Sequence, residues 1–249
     1  MITLEKLKEI VPAAFSEMPA PHVSQNYQFV QTSKVLEELE KRNWVPIFGK
    51  QQKSKTRKES TKHTIMLRHR DIAAANPTLG KTLPTLRLIN SHDWSCIFQL
   101  VYGMLVLRCG NGLFFAGEEY QNYQLRHDSV MQDLEMVLGH FQETSQRMED
   151  TAKRWNQIEL TATEELQLAE KGAQIRFGDS FTGEHVSSLM IAHHGETSSS
   201  LWDNFNKVQG NIIRGGNKVG KRKTRSVNNI QREKEMNEQL FLAAKGFDK

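Results

Sequence analysis

The chain has 249 residues, of which 38% are hydrophobic, and carries 33 Lys and Arg against 29 Asp and Glu for a net charge of +4. That length can bury a sizeable core, while two cysteines are too few for a disulfide framework or a thiolate cage. No apolar run approaches the roughly 18 residues needed to span a bilayer, and Met1-Ile2-Thr3-Leu4-Glu5-Lys6 reads as a helix start rather than a leader, so a cytoplasmic protein is expected.

Residues 3–18 predict a first helix with Leu4, Leu7, Ile10, Val11 and Ala14 on one face, ended by Pro19-Ala20-Pro21. Tyr27–Val30 is a short strand candidate. Thr32 or Ser33 offers a cap for a helix over Val35, Leu36, Leu39 and Trp44. Val45–Phe48 reads as a strand leading into Lys50–Lys62, a window with no apolar residue that is expected to be a mobile loop. His63–Arg70 and Leu83–Asn90 are further strands, separated by a polar connection from Asn76-Pro77 to Lys81. Cys96–Arg108 is the most apolar stretch. Cys109-Gly110-Asn111-Gly112 then suits a tight hairpin with Leu113–Ala116 as the returning strand.

From Asp128, its expected cap, Val130, Leu134, Val137, Phe141, Met148, Ala152 and Trp155 predict one long amphipathic helix. Thr161-Ala162-Thr163-Glu164 is a capping box that opens a helix to about Phe177. Ser199 begins another, with Leu201, Phe205, Val208 and Ile212 on one face and Gly215-Gly216 at its end. After Arg214–Arg225, Asn229–Lys245 gives a terminal helix. Strands come first and helices after, so the fold class is α+β: an antiparallel sheet in the N-terminal half with flanking helices, followed by a helical C-terminal half. The expected divisions are an N-terminal helix at 1–19, a sheet core at 20–126, a helical part at 127–213, and a basic tail with its helix at 214–249.

Charge is concentrated in two places. Lys50–Lys62 holds six basic residues against Glu59, and Arg214–Arg225 holds six against none, so the two windows carry +11 and the remainder −7. A local basic field on an acidic body suits a polyanionic partner; solvated loops are the alternative. Lys53, Lys55, Arg57, Lys58, Arg214, Lys218, Lys221, Arg222, Lys223 and Arg225 are the candidate phosphate contacts. Arg68 and Arg70 lie on one face of their strand and suit phosphate or solvent. Tyr27, Phe29, Trp44, Phe48 and Trp94 are aromatics that could stack on bases. Most of these read as core, and Trp94 least so.

Catalytic signals are weaker. Asn90-Ser91-His92-Asp93 groups four polar side chains, and His92 beside Asp93 could be a base with its orienting carboxylate. Neighbours on a strand point to opposite faces, however, and a turn explains the cluster without catalysis. His63 and His69 share a face but have no third ligand near them, and His193-His194-Gly195-Glu196 fits no zinc spacing. No phosphate-cradling glycine motif is present. No metal and no cofactor are expected, and Cys96 and Cys109 read as reduced, buried packing.

Leu88-Ile89-Asn90-Ser91-His92-Asp93, Gly103, and Arg108-Cys109-Gly110-Asn111-Gly112-Leu113 resemble the central signature of the phage/plasmid-like protein family, domain of unknown function 932. Leu201-Trp202-Asp203-Asn204-Phe205-Asn206-Lys207-Val208-Gln209 with Ile212, Arg214, Gly215 and Gly216 agrees with it. So do Lys221-Arg222-Lys223-Thr224-Arg225 leading to Asn237 and Leu240, and the early Pro21, Ser24 and Tyr27. Trp94 departs from the resemblance, which implies glycine after the Asp. What the resemblance implies is a mobile-element context in a bacterial host cytoplasm, with no catalytic residue to carry over. The expected function is therefore a phage- or plasmid-encoded protein that binds or anneals single-stranded DNA in replication or recombination, as an oligomer. Two alternatives stand beside it. One is an inhibitor of a host defence system that docks a host protein; the other is a metal-dependent nuclease centred on Asn90, His92 and Asp93.

Overall fold

Pro12 decides the shape of the N-terminus. A computed structural model describes residues 1–24, 27, 29–56, 58–71, 82–106, 111–114, 122–125, 130–192 and 198–249. In it the first helix, α1, covers only Leu4–Ile10 and is followed by a 3-10 turn at Pro12–Phe15. The expected continuation to residue 18 fails because proline has no amide hydrogen and disfavours helix at the residue before it. Val11 accordingly sits at φ −131°, ψ 62°.

The described chain resolves into two compact units. One takes Met1–Thr78, Leu83–Gly103 and Tyr120–Ser145; the other takes Leu79–Thr82, Met104–Glu119 and Gln146–Lys249.

In the first unit, α2 (Thr32–Lys41) leads through Asn43, at φ 62°, into the sheet strands β1 (Trp44–Gln51), β2 (His63–His69), β3 (Thr82–Asn90) and β4 (Phe98–Val106). Within this unit the strands run β1-β2-β3-β4, with β6 (Asn122–Leu125) also on β4; the sheet order continues to β5 (Asn111–Phe114), which with the end of β4 from Met104 belongs to the second unit. The pairs β1–β2, β2–β3 and β4–β6 are antiparallel. Pro46 is tolerated because β1 is the edge strand, and the β1–β2 register slips between Pro46 and Phe48. Gly49 is needed for close approach: a Cβ there would fall 2.6 Å from Leu7 Cδ1 and 2.7 Å from Val11 Cγ2, so α1 lies directly on β1. Leu7, Leu36, Leu39, Ile65, Leu67, Leu86 and Leu88 are buried and form this unit's core. Tyr27–Val30 is not a strand at its described positions; Tyr27 is held by a side-chain bond to Ser91 O instead of a ladder.

The expected long helix is two helices, α3 (Val130–Gly139) and α4 (Phe141–Gln157). The break falls after Gly139, a poor helix former, at His140, whose ring stacks on Tyr123 with Nδ1 2.9 Å from the phenol oxygen. The expected cap Asp128 lies outside the described residues.

The second unit holds β5 (Asn111–Phe114), α5 (Ala162–Phe177), α6 (Gly183–Leu189), α7 (Leu201–Arg214), a two-stranded hairpin of β7 (Lys218–Val219) and β8 (Arg222–Lys223), and α8 (Ile230–Lys245). Its core is aromatic. Trp155 packs on Phe205 at 5.3 Å and on Phe241 at 5.1 Å between ring centroids. The Thr161–Glu164 capping box forms as expected, and Ser200 and Asn229 cap α7 and α8 through their side chains. The chain is thus an antiparallel sheet with flanking helices followed by a helical C-terminal half. Among the described residues no helix is long and apolar enough to cross a membrane.

Candidate nucleic-acid interface

The Asn90–Asp93 cluster is built by strand register. His63 pairs with Asn90 across β2–β3, which brings His63 against the chain segment that carries His92. Thr32, His63, Asn90, Ser91 and His92 are all fully buried. Thr32 Oγ1 is the hub: it lies 2.9 Å from His63 Nε2, 3.1 Å from His92 Nε2 and 3.0 Å from Asn90 Nδ2. The protons can be assigned from chemistry. His63 Nδ1 is 2.9 Å from Thr61 O, a pure acceptor, so Nδ1 carries the hydrogen. Burial, helped by the neighbouring His92, drives the His63 pKa down to about 3, so the ring is neutral and Nε2 is bare. Thr32 must then donate to His63 Nε2. Its two lone pairs accept from Asn90 Nδ2–H and from Nε2–H of His92, and the hydroxyl is saturated.

This network fastens chain to chain rather than exposing a reactive group. His92 N–H donates to Ser60 O at 3.0 Å, and His92 O accepts from Ala20 N–H at 2.8 Å. Asp93 does not orient His92. Its Oδ1 accepts from Ser95 N–H at 3.1 Å, closing a turn that Ser91 brackets from both sides through Cys96 N–H and Cys96 O. His69 is not drawn into the cluster; its Nδ1 faces Asp71 at 3.3 Å. Sequence spacing joined His63 to His69, whereas the β2–β3 register joins it to His92. Among the described residues no group of three His, Cys, Asp or Glu could hold a metal ion. Cys96 is a free thiol at the turn, only partly shielded, and its pKa is raised by burial; Cys109 lies outside the described residues.

The aromatic candidates separate cleanly. Trp44 is core, packed edge-on to Phe141 at 4.3 Å. Phe29 packs on the His92 ring at 4.7 Å. Phe48 is exposed on β1. Trp94 is exposed at φ 62°, with its ring 6.0 Å from that of Tyr27. Tyr27 remains a donor, because burial pushes its pKa up to about 12 and Cys96 and Asp93 add to the rise.

The cations separate as well. Arg68 is a correction: β2 is an interior strand covered on both faces, so Arg68 is 8% exposed and cannot present itself to a phosphate from solvent. Arg70 is exposed but bound to Glu40 at 3.1 Å. Lys53, Lys55 and Lys58 are exposed on the loop after β1, while Ser60, Thr61 and Lys62 at the end of that window are buried, so its exit is anchored rather than loose. Arg57 lies outside the described residues, as does the His193–Glu196 segment.

The second basic window is an ordered hairpin. Lys218 pairs with Lys223 and Val219 with Arg222 around Gly220, whose φ of 56° supplies the left-handed turn position. Asn217 anchors its base by donating to Ser188 O at 2.7 Å, and Gly215 at φ 63° ends α7 where a Cβ would lie 2.7 Å from Arg225 O. Sequence reading missed this hairpin, although Gly220 between short basic runs was its signal. Lys218, Lys221, Arg222, Lys223 and Arg225 are exposed and have no acidic partner among the described residues; Arg214 is exposed at the end of α7. Elsewhere in the same unit three cations are paired across elements or helix turns: Arg154 with Asp248 at 2.6 Å, Lys249 with Glu164 at 2.8 Å, Lys234 with Glu238 at 3.0 Å.

Two curated proteins of Escherichia coli (strain K12) are similar over nearly the whole chain: UPF0380 protein YfjQ and UPF0380 protein YafZ. Each is 29% identical over 256 residues, covering 98% of this chain and 90% of its own length. No solved structure matches. The model of the domain of unknown function DUF932 matches residues 20–241, from the segment bonded to His92 to the core of the last helix, and the chain belongs to that family.

Proposed function

We propose that this chain is a non-enzymatic nucleic-acid-binding protein that holds single-stranded DNA in replication or recombination of a mobile element. One observation carries the reading: five cations on and just after one short hairpin are exposed without acidic partners among the described residues, within eight residues of one another. Like charges crowded on two antiparallel strands repel, and a polyphosphate relieves that repulsion while releasing counterions. Hairpin side chains carry no core, so their replacement leaves the fold intact.

In binding to a single-stranded oligonucleotide these five cations should contribute about −3.5 to the log–log salt slope if all contact phosphate, at about −0.7 each. The variant with Lys221, Arg222, Lys223 and Arg225 replaced by Ala should bind more weakly, with a slope reduced by about 2.8 and an unchanged circular dichroism spectrum. An unchanged affinity and slope in that variant overturns the hairpin's role.

A further inference from the structure

We propose that Trp94, with the groove beside it, is a subsite for one unstacked nucleotide: the base on the indole face, its phosphate on Lys55 and Lys58. This rests on the reading that the chain binds single-stranded nucleic acid, and it names what would set a single strand apart from a duplex.

Trp94 is anomalous twice over. It is 61% exposed, while Trp44, Trp155 and Trp202 are 3%, 0% and 5% exposed. It also holds a left-handed backbone conformation, φ 62°, that bulky side chains rarely adopt. Both features are unfavourable in the isolated protein, yet the turn is firmly fixed. Asp93 and Ser91 close it, Tyr27 O–H donates to Ser91 O at 3.0 Å, and the Tyr27 ring lies beside the indole. The surroundings hold an aromatic plate in water, and a plate set in advance loses little entropy when a base stacks on it.

The groove supplies the charge. It is an open cleft of about 460 Å³ lined by residues that include Pro19, Ala20, His22, Lys55, Lys58 and Ser60. Ala20 N–H and Ser60 O are the two groups bonded to the His92 backbone, so two residues of the lining are tied to a residue two positions before Trp94, at most about 7 Å of chain away. Lys55 and Lys58 are exposed and have no acidic partner among the described residues, with Glu59 the one acid in the lining. A flat aromatic face a short stretch of chain from a cleft with two available ammonium groups matches a base and its phosphate. In a duplex the bases are stacked on each other and offer the indole no face.

The test uses tryptophan emission of the full chain titrated with oligo(dT) at low salt. Trp94 is the one exposed indole, so saturation should quench the red-edge emission. Trp94→Gly places glycine where the left-handed backbone favours it and so should fold at least as well as the parent. It should lose the quench and bind oligo(dT) about tenfold more weakly, with duplex affinity and salt slope unchanged; Trp94→Phe should recover most of the affinity. Lys55 and Lys58 replaced together by Ala should lower the slope by about 1.4. If oligo(dT) binds in a hairpin-dependent way but leaves the emission and the Trp94→Gly affinity untouched, the subsite falls and the hairpin reading stands. If no oligonucleotide binds at all, both fall.

Discussion

Thr32 joins two histidines and an asparagine through a single oxygen, and everything else in that cluster follows from its having one proton to give. With the hydroxyl committed to His63 Nε2, a second proton on His63 would have no acceptor and would sit beside the His92 ring 5.1 Å away. His63 therefore stays neutral in the fold down to about pH 3, against an ordinary value of 6.5. The unfolded chain takes up that proton below pH 6.5 while the folded chain does not. Stability from this site is complete above 6.5 and is lost as pH falls from 6.5 towards 3, at about 1.4 kcal/mol per pH unit. Between pH 6.5 and 5.5 ordinary carboxylates are still ionised, so the effect should be visible there without acid titration of Asp and Glu. The urea midpoint should drop steadily from pH 7 to 5.5, and Thr32→Val should lower it further at every pH; a flat profile over that range contradicts the assignment. None of this geometry is legible in the sequence. Asn90, His92 and Asp93 announce a polar turn, but which of them faces inward depends on an Asx turn at Asp93, and the partner at His63 depends on a strand register that no local pattern encodes.

Elements with strong local chemistry were the readable ones. Thr161 with Glu164, and Asn229 before its helix, mark their starts because a side-chain oxygen three residues back satisfies an otherwise orphaned amide. The two-residue strands of the basic hairpin are too short to carry any period, and Pro12 ended α1 against an apolar pattern that ran on past it. Helix packing in the second unit turns on Gly172 in the middle of α5. Helix propensity alone says Ala there would stabilise by about 1 kcal/mol. Packing says the opposite: its Cβ would lie 2.4 Å from Val208 Cγ1 and 3.3 Å from Leu189 Cδ1, in a core where both are buried. Overpacking of this kind costs about 1–3 kcal/mol, so Gly172→Ala should be destabilising by roughly 1 kcal/mol net in chemical denaturation. A stabilised variant would mean that α5 and α7 can separate freely.

At the scale of the whole chain, the order of strands and then helices revealed the fold class, but not how the two units divide the sequence. The second unit does not begin where the helices begin. It also takes Met104–Glu119, so β5 belongs with helices that follow it by more than thirty residues, and it lies beside α8. That assignment is invisible to periodicity, because a four-residue strand reads the same whichever core receives it. It has a consequence for fragments. A chain starting at Gln146 contains α5 to α8 and the hairpin, with their caps and the Trp155, Phe205 and Phe241 cluster, yet lacks the strand against α8, whose Leu240 and Phe241 are fully buried in the intact protein. Losing the strand that lies beside α8 should cost about 2 kcal/mol. For a unit of this size that corresponds to a melting temperature roughly 10 °C lower. Circular dichroism melts of residues 146–249 against the full chain should show a helical fragment with that deficit, and adding a second segment that carries 104–119 should restore part of it. A fragment that melts with the full chain's midpoint would show that β5 contributes nothing to the helical unit.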